Sequence, residues 1–95
     1  MSPNPELIEA LEEREGLLFL EPRSEFDECI VGLGQRFNDE FIVYDTSCCF
    51  GVLERQMADD EDPHAAAREY FSFNTIGAWV GEATPGFLVT DPGDI

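Results

Sequence analysis

The side chains able to do chemistry in this sequence are of few kinds: one histidine, three cysteines and 21 carboxylates. Nucleophilic catalysis needs a base beside the nucleophile. The histidine, His64, follows Pro63 at the expected start of a helix, where an exposed position is predicted. The carboxylates are too numerous to identify an acid–base pair, because some two of them lie close together in any fold. The residue types therefore predict no catalytic residue and a protein that is not an enzyme.

The three cysteines are predicted to be reduced. Cys29, Cys48 and Cys49 are an odd number, and adjacent cysteines rarely bond to each other. Free cysteine packs as a small hydrophobic residue. A zinc site would need Cys48, Cys49 and His64 together, yet the sequence has no C-x-x-C pair and no second histidine. We therefore expect three buried thiols, no metal and no cofactor.

Negative charge dominates the composition: 21 acidic residues against five arginines and no lysine give a net charge of −16. Direct binding to nucleic acid or to an anionic membrane draws its affinity from Lys and Arg, so neither is expected as a direct partner. The chain is nevertheless 43% hydrophobic, which supplies enough apolar surface for a folded core. The first 20 residues lack the pattern of a signal peptide, so we expect a cytoplasmic protein.

The acidic residues of two segments form a candidate partner-binding surface. One segment is the predicted first helix and the other is a loop: Glu6, Glu9, Glu12, Glu13, Asp59, Asp60, Glu61 and Asp62. With Glu15 added and Arg14 subtracted, the helix carries four net negative charges over nine residue steps, from Glu6 to Glu15. That is one charge per roughly 3.4 Å, the axial charge spacing of one DNA strand. This density favours a small interaction protein whose partner is a positively charged protein or nucleic-acid-binding complex, such as a phage-type nucleic-acid mimic of the anti-CRISPR kind.

The same charge has a second explanation, in which it serves solubility. Arginine without lysine, and acids outside the core, are also expected of a halophile or of a GC-rich genome, because salt screens the self-repulsion of such a surface. The function could then be any that the fold permits, including the binding of a small ligand. Unfolding at low and at molar salt separates the two explanations.

The elements that position these residues are predicted from caps and apolar runs. Asn4-Pro5 starts a helix that Gly16 stops after Glu15. A second helix is predicted from Phe26 to Phe37, because its apolar residues recur at helical spacing. Two glycines inside it, Gly32 and Gly34, are attributed to close packing rather than to a phosphate-binding turn.

The rest of the chain alternates strands and helices. Residues 40–44 form a continuous apolar run and predict a buried central strand, and Asp45 then caps a helix over residues 46–57. Asp62-Pro63 starts another helix, and short strands are predicted at 76–80 and 87–90, before a frayed tail at 91–95. The result is an α+β fold: one domain over residues 1–95, with about four helices on a short two- to three-stranded sheet.

The C-terminal half carries a spaced pattern of residues. A Tyr-Asp pair, a Phe-Asn pair and a Gly-Ala-Trp-x-Gly-x-x-Thr-Pro run follow one another at Tyr44, Asp45, Phe73, Asn74, Gly77, Ala78, Trp79, Gly81, Thr84 and Pro85. Over residues 41–89 the pattern resembles a signature of small uncharacterised proteins of bacteria and their phages. The resemblance implies a compact α+β domain and an origin in phages or mobile elements, and it carries no activity and no catalytic residue.

Part of this pattern predicts a possible ligand pocket. Ligands of α/β sheets bind at the ends of central strands. The candidate residues are Tyr44, Asp45, Asn74, Trp79 and Thr84. The alternative is structural, with Asn74 ending a helix and Thr84-Pro85 entering the last strand in extended conformation. The sequence leaves both open.

Overall fold

The computed structural model describes residues 4–72 and 83–94. These residues contain four α-helices and three β-strands: α1 (Pro5–Glu12), α2 (Arg23–Phe26), β1 (Ile30–Arg36), β2 (Asp39–Asp45), α3 (Thr46–Gln56), α4 (Pro63–Tyr70) and β3 (Gly86–Leu88). Short 3-10 turns span Asp27–Cys29 and Pro92–Asp94. The predicted α+β class is confirmed. Of the predicted strands, 76–80 lies outside the described residues.

The three strands form one mixed sheet in the order β1-β2-β3. β1 and β2 are an antiparallel hairpin closed by the pair Arg36 and Asp39, while β3 runs parallel to β2. The central strand is the predicted buried run, and its Ile42 and Tyr44 have no exposed surface. The sheet therefore places the hairpin turn at one end and the carboxyl end of β2 at the other.

The predicted long second helix is wrong. Helix α2 ends at Phe26, and the apolar residues that follow belong to the 3-10 turn and to strand β1. Gly32 and Gly34 weaken a helix at these positions, and the backbone pairs with β2 as a strand instead. A side chain at Gly34 would collide with the Phe41 ring on the neighbouring strand. The attribution to close packing is therefore confirmed for Gly34, whose partner is a strand within the same sheet, and wrong for Gly32, where an added Cβ would meet no atom within 4 Å.

Side-chain caps start three of the helices as predicted. The Asn4 side chain accepts hydrogen bonds from the backbone N–H groups of Glu6 and Leu7, at 3.1 and 3.2 Å. Asp45 and Asp62 cap α3 and α4 in the same way. Such caps are local, because the cap residue and its partners lie within one turn of chain.

The prediction of three reduced cysteines is wrong. Cys29 and Cys48 form a disulfide with their Cα atoms 5.3 Å apart, and Cys49 is a buried free thiol. The sequence-based argument placed Cys29 within a long helix, whereas the 3-10 turn brings it against the first turn of α3. The odd number of cysteines is thus one bonded pair and one remaining thiol.

One cluster of buried side chains joins the helices to the sheet. Its members are Leu11, Phe26, Cys29, Ile30, Ile42, Tyr44, Cys49, Val52, Leu53, Ala67 and Phe71. Helix α3 contributes three of them, whereas α1 contributes Leu11 alone. Helix α1 therefore covers the edge of the core and leaves most of its surface to solvent.

Candidate functional site

The predicted acidic surface on α1 is exposed. Glu6, Glu9 and Glu13 are open to solvent, and their spacing of three and four residues places them in one row. Leu11, on the opposite side of the helix, is 2% exposed. We call these three glutamates the α1 acidic row. The helix is thus attached by its apolar face and presents its acids outward.

The α1 acidic row is shorter than the sequence predicted. The helix ends at Glu12 rather than near Glu15, and Glu12 pairs with Arg23 at 3.2 Å. Three charges then lie within seven residue steps, or about 10.5 Å of helical rise, which is one charge per roughly 3.5 Å when counted as for the sequence. The row therefore has about the axial charge spacing of one DNA strand, over a shorter length than the sequence predicted.

The second acidic segment, residues 59–62, is also exposed. Two of its carboxylates are used within the loop: Asp62 caps α4, and Asp60 accepts from the backbone N–H of Asp62 at 3.1 Å. The side chains of the other two acids, Asp59 and Glu61, take no part in these hydrogen bonds of the loop. The loop thus combines a structural role with a negatively charged surface.

Internal ion pairs engage most of the positive charge. Four of the five arginines contact carboxylates within the described residues: Arg14 with Glu40, Arg23 with Glu12 and Asp27, Arg55 with Glu28, and Arg68 with Asp94. Within the same part of the chain, no member of the α1 acidic row has an ion-pair partner. Most of the positive charge is therefore compensated by carboxylates elsewhere in the fold, and the row is left uncompensated.

Two residues of the predicted pocket, Tyr44 and Asp45, are buried and form hydrogen bonds within the fold. Tyr44 is fully buried, and its hydroxyl oxygen accepts from the backbone N–H of Leu20 at 2.8 Å. Burial raises the pKa of Tyr44 to about 12. Asp45 is 7% exposed and accepts from the backbone N–H of Cys48. Of the others, Thr84 is half-buried, and Asn74 and Trp79 lie outside the described residues.

A groove of about 250 Å³ lies where α3, α4 and the C-terminal 3-10 turn meet. Five polar side chains are hydrogen-bonded in sequence along it. Glu54 contacts His64 at 2.7 Å, Arg68 donates to His64 and to Asp94, both at 2.9 Å, and Ser47 donates to Asp94 at 2.6 Å. Asp94, which lies in the tail expected to be frayed, is thus hydrogen-bonded to both helices.

The groove does not assemble a nucleophile with its base. His64 Nε2 accepts from Arg68, so the ring proton lies on Nδ1 and is donated to Glu54. Ser47 donates to Asp94 instead of contacting the histidine. As predicted, His64 is exposed, its side chain retaining 64% of its accessible surface. The groove therefore fixes the C-terminal turn, with Arg68 lying over the Phe50 ring at 4.4 Å.

Replacing Asp94 with Asn is expected to release the C-terminal turn while leaving the core folded. The hydrogen bonds from Ser47 and Arg68 hold the pKa of Asp94 below its ordinary value of 3.8. A carboxyl with a lowered pKa stabilises the fold above its ordinary pKa and loses this effect as the pH falls further. Hydrogen exchange at neutral pH should show faster exchange of the backbone N–H of residue 94, with little change in melting temperature. Glu69→Gln, on α4, removes one charge without touching the turn and should leave that exchange unchanged.

Within residues 4–72 and 83–94, no group of three or more His, Cys, Asp or Glu side chains is arranged to hold a metal ion. None of the helices described is long and apolar enough to cross a membrane. No family model, curated protein or solved structure matches this chain. The arguments for function therefore come from the molecule's own surface.

Sequence reasoning missed one exposed residue. Phe37 was predicted as the last inward residue of a helix, but it occupies the β1–β2 turn with 98% of its surface exposed. Its backbone φ is +54°, in the left-handed region. The usable signal was Asn38, since asparagine favours turns and here precedes the apolar run of β2.

Proposed function

We propose that this chain is a non-enzymatic interaction protein that binds a positively charged partner through the α1 acidic row and the loop of residues 59–62. The observation that carries the proposal is the division of charge. Four arginines are paired inside the fold, whereas the row is exposed and unpaired within the described chain. A surface of this kind attracts a basic partner and speeds its association.

Repulsion within the α1 acidic row lowers the stability of helix α1. Glu6 and Glu9 are three residues apart, and Glu9 and Glu13 are four apart, so neighbouring charges repel. Glu13, at the C-terminal cap, also lies where the helix dipole favours a cation. Each such effect is a few tenths of a kcal/mol. A basic partner would relieve this repulsion, which makes partner binding a physical reason for the row.

The kind of partner follows from the same chemistry. Proteins that bind nucleic acid present Lys and Arg to phosphates, and exposed carboxylates can occupy those positions. In this proposal the chain competes with nucleic acid for a basic groove, as an inhibitor of the anti-CRISPR kind would. With three charges over about 10.5 Å, the row on α1 supplies only part of the contact, and the loop of residues 59–62 supplies more.

The test is displacement of labelled nucleic acid from three basic proteins: an OB-fold single-strand-binding protein, a histone-like duplex-binding protein and a guide-loaded RNA-guided nuclease. We expect displacement from at least one, with an affinity that falls steeply as salt rises. The triple variant Glu6→Gln, Glu9→Gln and Glu13→Gln should lose about tenfold or more in affinity, because each charge pair contributes up to about 1 kcal/mol.

A matched control removes three acids from other elements: Glu21→Gln, Glu25→Gln and Glu69→Gln. An equal loss of affinity in both triple variants would show that net charge, not the row, determines binding. Affinity that does not change between about 0.05 and 0.5 M salt would contradict the proposal. So would a chain that folds only in molar salt, because its charge would then serve solvation.

A further inference from the structure

Phe37 is exposed in a way that the fold does not require. It is one of two residues between the paired Arg36 and Asp39, at the tip of the β1–β2 hairpin. The residue is 98% exposed, so it adds nothing to the core. Two-residue hairpin turns favour Gly, Asn or Asp where φ is positive, and a bulky residue there is an outlier. The positive φ and the exposure of this position would both favour a smaller or more polar residue than Phe.

The Phe37 position suits an anchor for a partner. A short antiparallel hairpin fixes the backbone position of Phe37 before binding, which reduces the entropy lost on association. Aromatic residues that enter a pocket supply much of the binding energy at interfaces. An outlier in the backbone at an exposed tip is where such a role is expected.

A negatively charged groove lies beside the same turn. It encloses about 210 Å³, and its walls include Asn38 and Asp39 from the hairpin and Glu15 from the segment after α1. A third acid of the groove, Glu40, is already bound by Arg14. Glu15 and Asp39 therefore leave the groove beside the turn with a net negative charge, which Arg36, paired with Asp39 across the hairpin, offsets only in part. The tip thus offers an apolar group and carboxylates side by side.

We propose that Phe37 occupies the place of an unstacked nucleobase in a partner that binds single-stranded nucleic acid. Such partners stack bases on aromatic side chains and bind phosphates with Lys and Arg. Phe37 supplies a ring for the aromatic platform, while Glu15 and Asp39 meet the basic side chains next to it. This inference rests on the proposed function and specifies the partner. The basic groove of that partner binds single-stranded nucleic acid and does not contact only the backbone of a duplex.

The experiment uses two of the labelled complexes, an OB-fold protein with oligothymidylate and a histone-like protein with duplex DNA. Phe37→Ala should weaken displacement from the OB-fold protein about 30-fold. Its displacement of the duplex should remain as in the wild type. Phe37→Gly, which also relaxes the positive φ, should behave like Phe37→Ala, and circular dichroism should show both to be folded. Tyr70→Ala, which removes a half-exposed ring from α4, should have no effect.

Each other outcome decides against the inference. If Phe37→Ala displaces oligothymidylate as well as the wild type while the Glu6, Glu9 and Glu13 triple variant is weakened, Phe37 is not an anchor but the proposed function stands. Equal losses on both complexes would overturn the assignment to single strands. If the wild-type chain displaces neither nucleic acid at low salt, the inference is overturned, and the RNA-guided nuclease then decides whether the proposed function fails with it.

Discussion

Reduction of the Cys29–Cys48 disulfide is expected to lower the free energy of unfolding by about 3 kcal/mol. The bond joins residues 19 positions apart and encloses the whole β1–β2 hairpin. A cross-link over such a loop restricts the unfolded chain, and a 15-residue loop corresponds to about 3 kcal/mol in the chain-entropy description. For a domain of this size, the melting temperature should fall by roughly 12–24 °C.

Thermal unfolding with and without a reductant measures this effect. The double variant Cys29→Ser and Cys48→Ser is the control, because reductant should no longer change its melting temperature. Titration of thiols in denaturant should count one thiol in the oxidised chain and three after reduction. A wild-type chain that shows three thiols without reductant would contradict the bond. Cytoplasmic reductants keep most thiols reduced. The number of free thiols that the protein has in cells therefore bears on the expected cytoplasmic location.

Replacing Tyr44 with Ala is expected to lower the free energy of unfolding by about 3–5 kcal/mol, as for other large aromatic residues removed from a core. Tyr44 has no exposed surface, and its ring lies 6.1 Å from that of Phe87 on the neighbouring strand. The substitution leaves a cavity beneath the sheet and removes the acceptor for Leu20. Denaturant unfolding measures the change.

Tyr44→Phe separates the hydroxyl from the ring. It should lower the free energy of unfolding at neutral pH by about 1–3 kcal/mol, because the Leu20 N–H then loses its acceptor. The raised pKa of Tyr44 adds a pH signature: the unfolded residue ionises near pH 10, whereas the folded one stays neutral until about 12. Wild-type stability from this residue should therefore decline from pH 10 upward, and the difference from Tyr44→Phe should narrow. A constant difference across this range would contradict the buried position.

The caps and the central strand could be predicted because their causes are local. Asn4 and Asp45 lie within three residues of the N–H groups that they accept from. The segment around Gly32 could not be assigned, because its apolar spacing fits a helix while its strand conformation depends on pairing with β2. Cys29 was misplaced for the same reason, and its bond to Cys48 was missed with it.

In the candidate site, too, the local features could be predicted from the sequence and the long-range contacts could not. Exposure of Glu6 and Glu9 follows from their positions opposite Leu11 on one helix, which the sequence contains. The pairing of Arg14 with Glu40 joins residues 26 positions apart, and the Ser47–Asp94 bond joins residues 47 apart. Only the tertiary structure brings such residues together, so the sequence could not show which charges were already used.

The ring of Phe41 lies between two glycines, and this has a consequence for how the sequence can diverge. A Cβ atom at Gly34 on β1 or at Gly86 on β3 would meet the Phe41 ring, at 2.9 Å in the case of Gly86. A larger residue at either glycine thus requires the Phe41 ring to move or a smaller residue at position 41. In descendants of a common ancestor, these three positions should covary, although more than 50 residues separate the first from the last. Covariation of these three positions would then identify homologues whose overall sequence identity is low.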